Sequence, residues 1–80
     1  MKLPRDISGS ELARALARYG YEVTRHTGSH LRLTTHVGGE HHITIPAHSS
    51  LRVGTLNAIL VEVSQHLKQD KFSLIREIWG

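Results

Sequence analysis

The sequence predicts a small α+β domain in which two main helices pack on one face of a three-stranded antiparallel sheet. Apolar residues recur at helical spacing near both ends of the chain, and three alternating runs lie between them. The segments joining these runs are too short for crossover helices, so neighbouring strands must be antiparallel. A chain of 80 residues has the length of one small domain, and we expect a single domain over residues 1–80.

The first helix is predicted at Gly9–Tyr19, after an extended lead-in over Met1–Asp6. Ser8 and Glu11 have the spacing of a capping box at its start. Gly20 follows the helix, where glycine commonly ends one. The apolar stripe of this helix consists of Leu12, Ala13, Leu16 and Ala17.

Three runs rich in strand formers follow, and we predict strands at Tyr21–His26, Leu31–Thr35 and His42–Pro46. Thr27-Gly28-Ser29 has the composition of a tight turn, with Gly28 free to take a positive φ. Gly38-Gly39 suits the second hairpin turn.

Side chains alternate between the two faces of a strand, so each strand residue can be assigned to a face. The residues expected to face the helices are Val23, Leu31, Leu33, Ile43 and Ile45. The residues expected on the open face are His30, Arg32, Thr34, His42 and Thr44. Arg25 has the parity of Val23, so it can lie beside His30 only if the strand carries a bulge or a frayed end.

The last third of the chain is helical. A polar loop at Ala47–Arg52 leads to a second helix at about Gly54–Leu67, whose apolar residues again follow helical spacing. Asp70 can cap a short final helix at about Lys71–Trp79. We expect its apolar residues, Phe72, Ile75 and Trp79, to complete the core rather than contact a ligand.

Composition narrows the classes of function. The net charge is +3, and the segment between Leu12 and Val61 carries five arginines against two glutamates. Arginine suits bidentate contact with phosphate, so an anionic partner is compatible with this charge. The chain contains no cysteine, which excludes disulfides and thiolate metal sites. It shows no signal peptide and no apolar run of the ~20 residues that span a membrane, so we expect a cytoplasmic protein.

The candidate site is the segment Arg25–Arg32, in which His30 follows the predicted turn. Imidazole titrates near neutral pH and can act as an acid or a base, whereas arginine stays charged. One histidine between two permanent cations therefore suits chemistry on a phosphodiester. A second proton-transfer group is not identified by the sequence. His42 shares the open face, and His48 lies in a loop that could approach.

Several short motifs in a fixed order resemble the HicA (YcfA-like) toxin family over roughly Ile7–Leu67. They are Ser10-Glu11-Leu12, Gly20-Tyr21, Arg25-x-x-Gly28-Ser29-His30, Ile43-Thr44-Ile45-Pro46 and Gly54-Thr55-Leu56-x-x-Ile59-Leu60. The chain departs from the family in two places. Ser49–Val53 replaces a segment that is often proline-rich, and Lys68–Gly80 extends beyond the shortest members.

The resemblance implies a toxin of a type II toxin–antitoxin pair, with a fold like that of a double-stranded RNA-binding domain. Members are ribosome-independent mRNA interferases, and their partner is a HicB antitoxin that covers the active histidine. By this resemblance His30 is the catalytic residue. The residues we expect to contact RNA are Arg25, Gly28, Ser29 and Arg32. No cofactor or metal is expected.

Two other interpretations stay open at the level of sequence. The same fold and arginines would serve a double-stranded RNA-binding module without turnover. Histidine is also a common zinc ligand, and six histidines lie between His26 and His48. The metal interpretation lacks a His-x-x-His or carboxylate-rich motif.

Overall fold

A computed structural model describes residues 3–80, so part of the predicted lead-in, Met1 and Lys2, lies outside the described residues. The elements are α1 (Gly9–Leu16), a 3₁₀ turn (Ala17–Tyr19), β1 (Glu22–His26), β2 (His30–Thr35), β3 (His41–Pro46), α2 (Val53–Leu67) and α3 (Lys71–Trp79). The predicted α+β order is confirmed, and every predicted element is present. None of the helices in residues 3–80 is long and apolar enough to cross a membrane.

Local signals in the sequence set the ends of α1. The Ser8 side chain accepts a hydrogen bond from the Glu11 backbone N–H, and the Glu11 carboxylate accepts one from the Ser8 N–H. This reciprocal pair satisfies two of the free donors at the helix start. Gly20 adopts a left-handed conformation with φ 85°, which ends the helical segment.

The sheet has the strand order β1-β2-β3, and both pairs are antiparallel. Gly38 and Gly39 have φ values of 71° and 106°, which suit them to the β2–β3 turn. The β1–β2 ladder is irregular between Val23 and Arg25, where β1 contains one extra residue. This bulge places Arg25 directly opposite Arg32.

The core lies between the helices and one face of the sheet. Leu16, Leu33 and Leu60 are fully buried, as the predicted alternation requires. The other fully inaccessible apolar residues are Leu12, Ile45, Val63 and Leu74. Val23 pairs with Leu33 and so has the predicted orientation, but it remains 48% exposed. It lines an open groove beside α1, because the helix does not extend over the outer strand.

The final helix completes the core, as predicted. The Asp70 carboxylate accepts a hydrogen bond from the Ser73 N–H, and Leu74 and Ile75 are buried. The prediction for Phe72 was wrong, because its side chain is 52% exposed. Apolar spacing alone did not show that the buried stripe of α3 runs through Leu74 instead.

Close backbone packing fixes the start of α1 against the end of β3. The Gly9 N–H donates to the His48 carbonyl at 2.9 Å. A Cβ atom on Gly9 would lie 2.1 Å from the Pro46 carbonyl oxygen, so only glycine fits at position 9. The loop after β3 is therefore fixed at the same end of the sheet as the β1–β2 turn.

Candidate active site on the open face of the sheet

The turn before His30 is organised by Thr27, which sequence reasoning did not single out. The Thr27 hydroxyl accepts hydrogen bonds from the backbone N–H groups of Ser29 (3.4 Å) and His30 (3.1 Å). The Thr27 N–H donates to the His30 carbonyl at 2.9 Å. Gly28 does not take the positive φ that its residue type allows. The turn does not need one, because side-chain hydrogen bonds from threonine stabilise such turns without left-handed backbone.

His30 begins β2 on the open face, with an exposed side chain. Its Nδ1 lies 3.0 Å from the Ser29 hydroxyl oxygen. Within residues 3–80, its Nε2 makes no hydrogen bond. The backbone is held from both sides, since the Thr27 N–H donates to the His30 carbonyl on the β1 side and His30 pairs with Pro46 on the β3 side. The side chain thus presents one ring nitrogen to a ligand from a fixed backbone.

The bulge brings the two flanking arginines together on this face. Arg25 and Arg32 line the same open groove of about 430 Å³, and the bulge that Arg25 requires to reach the open face is present. His30 is not among the residues that line this groove. The other lining residues are Thr24, Thr34, His36, Glu40 and His42. Within residues 3–80, neither guanidinium forms an ion pair or a side-chain hydrogen bond.

A chain of hydrogen bonds forms the floor of this groove. The Thr24 and Thr34 hydroxyl oxygens lie 3.0 Å apart, and Thr34 Oγ1 lies 2.8 Å from His42 Nδ1. His42 Nε2 lies 2.9 Å from Glu40 Oε2. The hydrogen bond and charge of His42 lower the pKa of the Glu40 carboxyl. Thr34 is only 8% exposed, although it lies on the open face, because these neighbours cover it.

The two candidates for a second proton-transfer group occupy different ends of the sheet. His42 pairs with Thr34, four residues along β2 from His30, which is about 13 Å at the rise of a strand. The structure therefore does not bring His42 to His30. His48 lies one residue after Ala47, whose N–H contacts the Ser29 carbonyl, so the backbone at His48 lies near the His30 turn.

Two other histidines, His41 and His66, lie away from the open face. His41 lies on the helix-covered face, where its ring stacks on His66 with centroids 4.3 Å apart and its Nδ1 lies 2.7 Å from the Tyr21 hydroxyl. Burial and the charge of His66 lower the pKa of His41. Burial and the nearby charge of Glu62 raise the pKa of Tyr21 to about 12. In the described part of the chain, no group of three or more histidine and acidic side chains has a metal-binding arrangement.

The remaining arginines of the central segment do not line the groove. Arg18 donates to the Glu77 carbonyl and so ties the first helical segment to α3. Arg14 lines the groove beside Val23, on the helix side of β1. Of the five central arginines, Arg25 and Arg32 are therefore the two that line the groove on the open face.

Comparison with known protein families identifies one family that matches the chain. The family model described as the HicA toxin of bacterial toxin–antitoxin systems matches residues 9–72. Neither the curated proteins nor the solved structures contain a significant match to the chain. The family match covers both main helices, all three strands and the turn before His30. The chain therefore belongs to the HicA toxin family, and it is a toxin of a toxin–antitoxin system whose partner is an antitoxin.

Proposed function

We propose that this toxin is a metal-independent endoribonuclease that cleaves mRNA without the ribosome, and that His30 is its catalytic residue. The observation that carries the proposal is the placement of His30. It is exposed at the end of an ordered turn, outside the core, and Arg32 follows two residues later on the same face. A histidine that the fold does not need for packing is available for proton transfer.

The proposed chemistry uses RNA, these side chains and solvent water. The ribose 2′-oxygen attacks the adjacent phosphorus while the bond from phosphorus to the 5′-oxygen breaks. His30 takes the proton from the 2′-hydroxyl or gives one to the leaving 5′-oxygen, and water carries the other proton. Proton transfer by a well-placed side chain contributes ~10²–10⁴-fold. Arg32 stabilises the negative charge that builds on the phosphoryl oxygens.

The other proposed contacts with RNA surround His30. Arg25 and Arg32 bind phosphate oxygens through charge-assisted hydrogen bonds. Ser29 bonds Nδ1 of His30 and so orients the ring, leaving Nε2 toward the substrate. Nothing lies within 4 Å of the position a Cβ would take at Gly28, so the turn leaves room for a nucleotide to approach its backbone.

Replacing His30 with alanine tests the proposal. We expect cleavage of labelled RNA to fall by at least ~10²-fold, because the proton-transfer group is lost. The free energy of unfolding should change by no more than about 0.5 kcal/mol, because the side chain is exposed. RNA affinity should persist, since the arginines remain. Cleavage and thermal melting of the same preparation would be compared.

The matched control is His26→Ala, which removes an exposed histidine from the same hairpin on the helix-facing side. This variant should cleave at the wild-type rate. Full cleavage by a folded His30→Ala protein would overturn the catalytic assignment. RNA binding without cleavage by the wild-type protein would instead support a binding module without turnover.

The proposed partner is a HicB-like antitoxin with an acidic surface that covers His30 and the arginines. The open face bears these positive side chains unpaired within residues 3–80, so an acidic surface would complement it. Antitoxin at a 1:1 ratio should abolish RNA cleavage in a titration. A complex that cleaves at full rate would exclude occlusion. We further propose that residues 1–80 act as one domain and that the toxin acts in the cytoplasm, where mRNA is present.

A further inference from the structure

We propose that the groove lined by Arg25 and Arg32, hereafter the arginine groove, binds a second phosphate of a single RNA strand, roughly two to four nucleotides from the scissile bond. Arg25 contacts this second phosphate, and Arg32 lies between it and the scissile phosphate, where its guanidinium can act on either. The strand would lie along β2, from His30 at one end toward Glu40 and His42 at the other. This inference rests on the proposed function, because it takes His30 as the cleavage site. The substrate class that it assigns is unpaired RNA that extends beyond the bond that is cut.

The charge arrangement of the arginine groove is the first argument. Like charges directly opposite each other in a sheet are destabilising. Arg25 and Arg32 are nevertheless cross-strand partners, and within residues 3–80 no carboxylate pairs with either guanidinium. The bulge creates this juxtaposition, since the regular alternation of β1 would turn Arg25 to the helix face. An anionic ligand between the two guanidinium groups would remove the repulsion.

Distances along the sheet give the second argument. At the rise of a strand, Arg32 lies about 7 Å from His30 and Thr34 about 13 Å. A stacked nucleic-acid strand carries one phosphate every ~3.4 Å of its axis, so this span corresponds to roughly two to four nucleotides. The six residues of β2 span about 17 Å, which is the length of roughly five stacked nucleotides. The face therefore fits a short single-stranded segment.

The side chains of the open face indicate how the RNA is read. Those that line the arginine groove are threonine, histidine, arginine and one glutamate, with no Phe, Tyr or Trp among them. Sheets that select bases by stacking use those aromatic rings. Contacts here would go mainly to the phosphates, which carry no base identity. Binding at the groove should therefore depend on strand length and salt more than on sequence.

Glu40 is the one acidic side chain lining the arginine groove. It lies 2.9 Å from His42 Nε2 and 3.9 Å from His36 Nδ1, so its charge is held at the rim. A carboxylate at this position opposes a bound phosphate and weakens its retention. We infer that Glu40 limits affinity for RNA, and that neutralising it would tighten binding.

The test uses fluorescent 2′-O-methyl RNA of mixed sequence, three or eight nucleotides long. It cannot be cut by attack of a 2′-hydroxyl, whichever residue is catalytic. Fluorescence anisotropy would give the affinity and its salt dependence. The wild type should bind the octamer more tightly than the trimer. Arg25→Gln should weaken octamer binding roughly three- to tenfold and reduce the salt slope by about 0.7, the value for one lost phosphate contact on a single strand.

Matched controls separate the groove from net charge. Arg76→Gln removes an exposed arginine from α3, and it should change octamer affinity less than about twofold. Glu40→Gln should tighten octamer binding by roughly two- to fivefold. Glu62→Gln breaks the corresponding contact with His41 on the helix-covered side and should leave affinity unchanged. Equal effects of Arg25→Gln and Arg76→Gln would overturn the proposal, as would no octamer binding by the wild type.

The proposed function is tested separately, by cleavage of unmodified RNA with the His30→Ala protein. Normal cleavage by that variant would overturn the role of His30 and leave the phosphate site standing if Arg25→Gln still weakens octamer binding. Loss of cleavage in His30→Ala with no effect of Arg25→Gln would have the opposite meaning. It would support the nuclease and overturn the arginine groove as a phosphate site.

Discussion

His41 and His42 are adjacent in the chain but lie in opposite surroundings. His41 points toward the helices, where its ring stacks on His66 and contacts the Tyr21 hydroxyl. His42 points to the open face, where it joins the polar floor of the arginine groove through Thr34 and Glu40. Both rings bond a hydroxyl group and lie near a glutamate, yet one holds a helix to the sheet and the other lines an open groove.

The difference shows how one strand supplies both stability and chemistry. Because side chains alternate along β3, each residue points to one face of the sheet. Substitutions on the two faces should therefore have separable effects. Substitutions on the helix-covered face should change the free energy of unfolding. Substitutions on the open face should change RNA binding or cleavage while the fold persists.

The largest effect on stability should come from Leu60→Ala. Leu60 is fully buried on α2, and truncation of such a leucine costs about 2–5 kcal/mol in lost contacts and cavity formation. Urea unfolding monitored by circular dichroism would measure this change, which is large for a domain of this size. The control is Val23→Ala, which faces the same side but is half exposed and should cost far less. Equal costs would contradict the core described above.

Alanine substitutions of the two adjacent histidines should have smaller and unequal effects on the free energy of unfolding. His41→Ala leaves the buried Tyr21 hydroxyl without its partner and should cost about 1–3 kcal/mol. His42→Ala removes a more exposed ring and should change stability by about 0.5 kcal/mol or less. In a double-mutant cycle, Tyr21→Phe should cost less in the His41→Ala background than in the wild type. Additive losses would show that the Tyr21–His41 hydrogen bond does not contribute.

The smallest effect is a dependence of stability on pH. Burial and His66 lower the pKa of His41 below its ordinary value of 6.5. The unfolded chain therefore binds more protons than the folded chain as pH falls through that region, so stability is lost below about pH 6.5. Glu11, Glu40 and Glu77 have lowered pKa values and titrate at more acidic pH.

Melting temperatures at pH 7.5 and 5.5 would measure this dependence. The wild type should melt lower at pH 5.5, and the difference between the two temperatures should shrink in His41→Phe. An unchanged difference in His41→Phe would assign the effect to another group.

Most of the fold was predictable because it depends on interactions between residues that are close in sequence. The capping box at Ser8, the turn at Gly38-Gly39 and the cap at Asp70 each involve a few consecutive residues. Strand alternation likewise predicted that His30 and Arg32 share the open face. These features depend on local geometry, which a sequence specifies directly.

Features set by tertiary packing could not be predicted in the same way. The exposure of Val23 depends on how far α1 reaches across the sheet, and the stack of His41 on His66 joins residues 25 positions apart. The bulge was recognised only as a condition for placing Arg25, because strand alternation does not reveal where an extra residue lies. Thr27 was predicted to lie in the turn, but its hydrogen bonds to the Ser29 and His30 N–H groups depend on the conformation of the turn and were not predicted.

Thr24, the extra residue in β1, is a position at which the chain can be shortened by one residue. Val23 and Arg25 already face opposite sides of the sheet, with Thr24 unpaired between them. Deleting Thr24 would give a strand of strict alternation in which both neighbours keep their faces and partners. Such a shortened chain would keep both guanidinium groups of the groove but lose the hydroxyl that contacts Thr34. Deleting this one residue would therefore reshape the groove without changing its charge.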